Sequence, residues 1–179
     1  MRRWLHGLVL VAVLAPAPGC VTLETEDYPR YWPALDVSGS GCPRLTGSFD
    51  NRDIDEARPV LLAKWLLETA DPLRDVHRVH LSGPEWSVLR LRLLDDKGTA
   101  LLERDLREGT DYECNGGWLE RRQPELALVG VVHRRVARLA RTTRGDLAVE
   151  DGDRGAGVVL VVPMYASFRY WHLYRQRSH

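Results

Sequence analysis

Residues 86–106 read WSVLRLRLLDDKGTALLERDL, and this stretch decides the fold class. Leu89, Leu91 and Leu93 alternate with Arg90 and Arg92. A strand therefore puts the leucines on one face and the arginines on the other. Asp95-Asp96-Lys97-Gly98 supplies the residues of a tight turn, and 99–106 returns as the second arm of a hairpin.

Working outward, the same pattern recurs. Residues 76–81 alternate loosely before the turn residues Ser82-Gly83-Pro84. Downstream, Glu108-Gly109 turns the chain and 112–114 starts another strand. Asn115-Gly116-Gly117 then leads into 118–122. Consecutive hairpins of this kind predict an antiparallel meander. Upstream, residues 43–51 (PRLTGSFDN) read as a first strand ending in Asp50 and Asn51. Between them, 55–70 reads DEARPVLLAKWLLETA. Pro59 sits where a first helical turn tolerates it. Val60, Leu61, Leu62, Trp65, Leu66 and Leu67 form a wide apolar face at helical spacing, and Asp71-Pro72 ends the segment.

Residues 126–141 carry two patterns. With period two they form a long strand. With period 3.6, Val132, Val136 and Leu139 line one face and Arg134, Arg135, Arg138 and Arg141 lie off it, as in a basic amphipathic helix at an anionic membrane. The strand reading is favoured, because the segment feeds the turn Arg144-Gly145-Asp146 and the strand-like 147–150. Residues 151–155 read as a loop and 158–162 as a buried strand that Pro163 interrupts or ends. In 167–175, Phe168, Tyr170, His172 and Tyr174 share one face, with Trp171 and Leu173 on the other. The fold class expected is mainly β: an antiparallel meander forming a small barrel or strongly bent sheet, with one helix after the first strand.

The N-terminus reads MRRWLHGLVLVAVLAPAPGC. Arg2 and Arg3 make a charged start, residues 8–14 are apolar, and small residues and prolines follow. This is the layout of a signal peptide, with an apolar part too short to span a bilayer permanently. Residues 14–20 (LAPAPGC) resemble the lipobox of bacterial lipoproteins. The resemblance implies cleavage before Cys20, lipid on its thiol and acylation of the new amine. Val21, rather than an aspartate, would follow the lipidated residue, which by the sorting rule of that family implies the outer membrane facing the periplasm. Two or three acyl chains, at roughly 0.8 kcal/mol per buried methylene, hold a protein stably on a membrane. The organisation expected is a signal peptide over 1–19, a lipidated N-terminus and flexible tether over 20–41, and a single β-rich domain over 42–179. Tyr28, Tyr31 and Trp32 in the tether would rest on the membrane or a partner, or pack on their own domain.

With Cys20 acylated, Cys42 and Cys114 remain, and an even remainder outside the cytoplasm suggests a disulfide. Free thiols or a metal site are the alternatives. Neither cysteine has a nearby Cys or His at ligand spacing, which argues against zinc.

The 25 basic and 25 acidic residues leave no formal net charge, which argues against a nucleic-acid partner. The 44% hydrophobic and 28% charged content is that of an ordinary globular chain. No G-x-S-x-G, H-E-x-x-H or phosphate-binding glycine loop occurs. His77 and His80 would point to opposite faces of a strand and so not share a metal. His133 and His172 stand alone, and Asp151 and Asp153 read as turn carboxylates rather than calcium ligands. No cofactor is implied.

Gly47-Ser48-Phe49 and Thr110-Asp111-Tyr112 resemble two short signatures of lipocalins, and the strand–helix–meander order is similar too. That resemblance implies a barrel carrying a lipid or small apolar molecule. The function expected first is a non-enzymatic, membrane-anchored envelope lipoprotein that binds a protein partner or supports an envelope assembly. A lipocalin-like carrier is the alternative, to be told apart by whether large side chains fill the barrel interior.

Overall fold

The computed structural model describes residues 20–37, 39–54, 60–67, 73, 75–122, 126–128, 131–159 and 162–177. The leader expected over 1–19 lies outside them. In chain order the elements are β1 (Cys20–Thr25), β2 (Leu35–Asp36), β3 (Gly47–Asp50), α1 (Leu62–Leu67), β4 (Arg78–Glu85), β5 (Val88–Leu94), β6 (Ala100–Arg107), β7 (Glu113–Asn115), β8 (Trp118–Arg122), β9 (Leu126–Leu128), β10 (Val131–Thr142), β11 (Leu147–Val159), β12 (Val162–Tyr174) and β13 (Gln176–Arg177).

These strands form two sheets. The larger runs β1-β12-β11-β10-β8-β7, with β2 and β9 also pairing along β10. The smaller runs β13-β3-β4-β5-β6. The chain is mainly β and meandering, as the alternation predicts, with one short helix following β3. The sheets do not close into a barrel, so of the two architectures expected the bent sheet is the one found.

The β5–β6 hairpin follows the sequence pattern closely. Leu89, Leu91 and Leu93 are buried. On the opposite face Arg90 pairs with Asp105 at 3.2 Å and Arg92 with Glu103 at 2.6 Å, each directly across the ladder. Leu45, Phe49, Leu81 and the β5 leucines, on the smaller-sheet side, share one buried cluster with Leu119, Leu139, Leu147, Val149 and Tyr174 of the larger sheet. Leu62, Trp65 and Leu66 of α1 belong to the same cluster.

Several expectations need correction. The turn expected at Ser82-Gly83-Pro84 lies inside β4. Gly83 takes a φ of 102°, and a Cβ there would sit 2.6 Å from the Glu85 nitrogen, so the glycine absorbs a bulge instead of reversing the chain. The reversal comes at Trp86 and Ser87, both at positive φ (53° and 62°), between the paired residues Glu85 and Val88. Trp86 is thus a turn residue and 97% exposed, not the first residue of a strand. Residues 151–155, read as a loop, continue β11, and Pro163 lies within β12. The helix is described only over Leu62–Leu67; 55–59 and 68–72 of the expected segment lie outside the described residues. Over the described residues of 126–141 the period-two reading holds, as β9 and β10.

The flexible tether expected over 20–41 instead contains paired strands. Backbone groups on the open edge of β12 need partners, and β1 supplies them in parallel, from Cys20 opposite Met164 to Thr25 opposite Arg169. β2 pairs with the end of β10 at Arg141 and Thr142. Between them the Tyr28 hydroxyl donates to the Pro33 carbonyl at 2.6 Å, and the Tyr28 ring meets Trp32 and Trp171 edge-on at 5.6 and 5.0 Å. The Trp171 indole donates to the Glu26 carbonyl at 3.0 Å. Gly117, at φ 81°, leaves room for the Val37 backbone, which a Cβ would approach to 2.9 Å. The domain therefore includes this segment, and β12 is an interior strand, not an edge.

Cys42 and Cys114 form a disulfide with Cα atoms 4.8 Å apart across a sequence separation of 72. It ties the segment before β3 to β7, and so the approach to the smaller sheet to the edge of the larger. Replacing both cysteines by serine should lower the unfolding free energy by about 2–4 kcal/mol, read as a lower urea midpoint. An unchanged midpoint would show that the crosslink does not constrain the unfolded chain.

Candidate functional site

Among the described residues, a group of buried polar side chains gathers around α1. Asn51, fully buried at the end of β3, starts it. Its side chain donates to the Val76 carbonyl and accepts from the Ala63 amide, each at 2.9 Å, while its own carbonyl accepts from the Leu62 amide at 2.7 Å. The first free amides of the helix are thereby satisfied. At the other end, the Arg121 guanidinium donates to the carbonyls of Leu66 and Trp65, and its Nε to the Asp111 carbonyl. A helix of six residues cannot stand alone, and these two side chains hold it in place.

So held, α1 drives Trp65 inward. Its indole N–H donates to the Tyr174 hydroxyl at 2.9 Å. The His172 ring lies 5.6 Å from the Trp65 ring at 33°, and the Arg135 guanidinium sits 4.7 Å over it. Arg135 also makes a two-pronged pair with Asp151, Nε to Oδ1 at 3.0 Å and Nη2 to Oδ2 at 2.8 Å. This pair raises the Arg135 pKa against the opposing effect of burial, with Asp151 and Asp153 adding to it through space. Burial pushes the Tyr174 hydroxyl well above its usual range, although its bond from Trp65 works the other way.

His172 Nδ1 lies 2.8 Å from Asp53 Oδ2; Asp53 is buried and His172 partly so. A His–Asp dyad becomes a base for nucleophilic catalysis only when the other ring nitrogen reaches a hydroxyl or thiol. Among the described residues no such group is hydrogen-bonded to His172. Through Trp65, Tyr174 and His172 the cluster joins α1 to the larger sheet.

Of the residues singled out in the sequence, Cys42 and Cys114 come together and Cys20 opens β1. The His133 side chain lies outside the described residues. His80 lies 3.3 Å from the Ser82 hydroxyl, and His77 lines a surface cleft with Asp50, Arg52, Asp53, Arg175 and Arg177. Among the described residues, one group of metal-type ligands converges, Cys42, Glu108 and Cys114, and its two sulfurs are joined to each other in the disulfide. Asp151 is not a solvated turn carboxylate but is buried against Arg135. Continuing the alternation of 147–149 through residue 151 would have placed it on the inner face. The pairing of Trp65 with Tyr174 crosses 109 positions, which no local pattern reveals. Comparison with protein-family models, with curated proteins and with solved structures finds no match to this chain.

Two tyrosines separate partnered from unpartnered burial. Tyr174→Phe takes away the acceptor of the Trp65 indole and should destabilise the fold by about 1–3 kcal/mol. The buried Tyr112 hydroxyl has no hydrogen-bond partner among the described residues, so Tyr112→Phe should be neutral or stabilising. Burial, aided by Glu108 and Asp111, raises Tyr112 from 10.0 to about 12. The unfolded chain thus loses this proton first, and stability falls as pH rises from 10.0 towards about 12. Tyr112→Phe should lessen that alkaline loss, measured by chemical denaturation at pH 9 and pH 11.

Proposed function

We propose that this chain is a non-enzymatic, lipid-anchored protein of the cell envelope that binds a protein partner or supports an envelope assembly. The observation that carries the reading is the order Arg2-Arg3, apolar 8–14, small residues and Cys20, with Cys20 opening the first strand of the described fold. A lipid on that residue would be followed at once by structured chain. The Cys42–Cys114 disulfide accords with an oxidising compartment. By the lipobox resemblance, the outer membrane facing the periplasm is the proposed site.

A partner could pair with β6, the edge strand of the smaller sheet, which carries exposed Leu101 and Leu102. The carrier alternative has less support. The sheets are not closed, and Trp65, Phe49, Tyr174 and buried leucines fill the space a carried molecule would need.

Metabolic labelling with palmitate in a lipoprotein-processing bacterial host tests the anchor. The wild-type chain should take up label and lose residues 1–19, and Cys20→Ser should do neither. An unlabelled wild-type chain would overturn the reading.

A further inference from the structure

Strands β10, β11 and β12 run 12, 13 and 13 residues, whereas β3, β4 and β5 of the smaller sheet run 4, 8 and 7. The larger sheet therefore has an end that runs on beyond Arg135, the β10 residue over Trp65. β1 and β9 pair there, and Cys20 lies opposite Met164. The described stretches 131–132, 158–159 and 162–165 lead to this end.

The strand registers sort one face of this end into rows. Val132, Ala156 and Tyr165 form one row, with Val158 beyond it. The next row inward holds Arg134, Arg154, Ser167 and Leu23. Leu23, Val132, Val158 and Tyr165 are 64%, 47%, 54% and 41% exposed, half of the large apolar side chains exposed among the described residues. Arg134 and Arg154 are exposed and directly opposite each other, and neither pairs with an acidic side chain among the described residues. Like charges so placed repel and call for an anion. Same-face rows are about 7 Å apart along a strand, so the arginines stand one step above the apolar rows. Interfacial proteins bury their apolar face about 5–10 Å deep, which puts such a row at phosphate level.

We propose that this end of the larger sheet inserts into an anionic phospholipid bilayer, apolar rows in the acyl boundary and Arg134 and Arg154 on headgroup phosphates. The inference deepens the anchoring reading, on which it rests for the nearness of a membrane. The surface itself is independent of acylation.

The test uses residues 20–179 with Cys20→Ser, the span that holds every described strand and the helix, checked for an intact disulfide and near-ultraviolet circular dichroism. It should co-sediment with vesicles containing phosphatidylglycerol, much less with phosphatidylcholine alone, and less as salt rises. Arg134→Gln with Arg154→Gln should weaken partitioning about thirtyfold, at about 1 kcal/mol per arginine. Val158→Ser with Tyr165→Ser should weaken binding in both vesicle types. Folded protein that ignores all vesicles, or that binds unchanged by these substitutions, overturns the proposal. So does a dimer or other protein complex that uses this face without vesicle binding. Palmitate labelling without vesicle binding would leave the anchor standing and remove the surface, and the converse would do the reverse.

Discussion

The burial of Trp65 is the contact on which the rest of the structure depends. One side chain from a single short helix touches Tyr174 and His172 of β12 and lies beneath Arg135 of β10. The apolar residues of the smaller sheet and of α1 reach the larger sheet through the same cluster. An aromatic ring is suited to this place, because it buries a large area and still offers a donor at its edge. The cost of ordering so short a helix falls on Asn51 and Arg121, which satisfy its ends. Both are polar groups that are tolerated inside only because their hydrogen bonds are made.

How much was legible follows from the range of each signal. The period-two leucines of β5 predicted both a strand and its buried face, because that pattern is local and strong. The helix was found from its apolar spacing for the same reason. The β4–β5 reversal was misplaced because Gly83-Pro84 is ordinary turn chemistry, whereas Trp86-Ser87 is not. Glycine there answered the need for a bulge, and the sequence alone does not tell the two uses apart. The tether was misread for a different cause. Residues 20–37 have weak local pattern, and their order comes from an unpaired edge of β12 and from Trp171, both more than a hundred residues away. The Asp53–His172 and Arg135–Asp151 pairs were out of reach for the same reason, since pairing across a sheet depends on a register that composition does not encode.

The two faces of the larger sheet have different roles at its far end. Near Trp65, residues of β10–β12 have a second layer to cover their inner face, and Leu139, Leu147 and Val149 are buried. Farther along, β11 turns to glycine and alanine at 155–157, residues that add little packing of their own. A soluble sheet end without cover is normally made polar or charged to discourage association. On the face opposite the core, the exposed Val158, Val132 and Tyr165 nevertheless stand outermost at this end, and charge begins at Arg134 and Arg154.

The placement of charge along this one face argues against solubility as its purpose. Farther inward, arginines are matched: Arg138 lies 3.0 Å from Glu120, and Arg169 lies 3.2 Å from Glu150. Such cross-strand pairs quiet a surface. The matching stops at the row next to the apolar end, where two arginines face each other instead. Solvent exposure alone would favour continuing the ladder of opposite charges outward. A boundary at which neutral pairs give way to unmatched cations, and then to apolar side chains, follows the polarity of a membrane interface from water through phosphate to hydrocarbon.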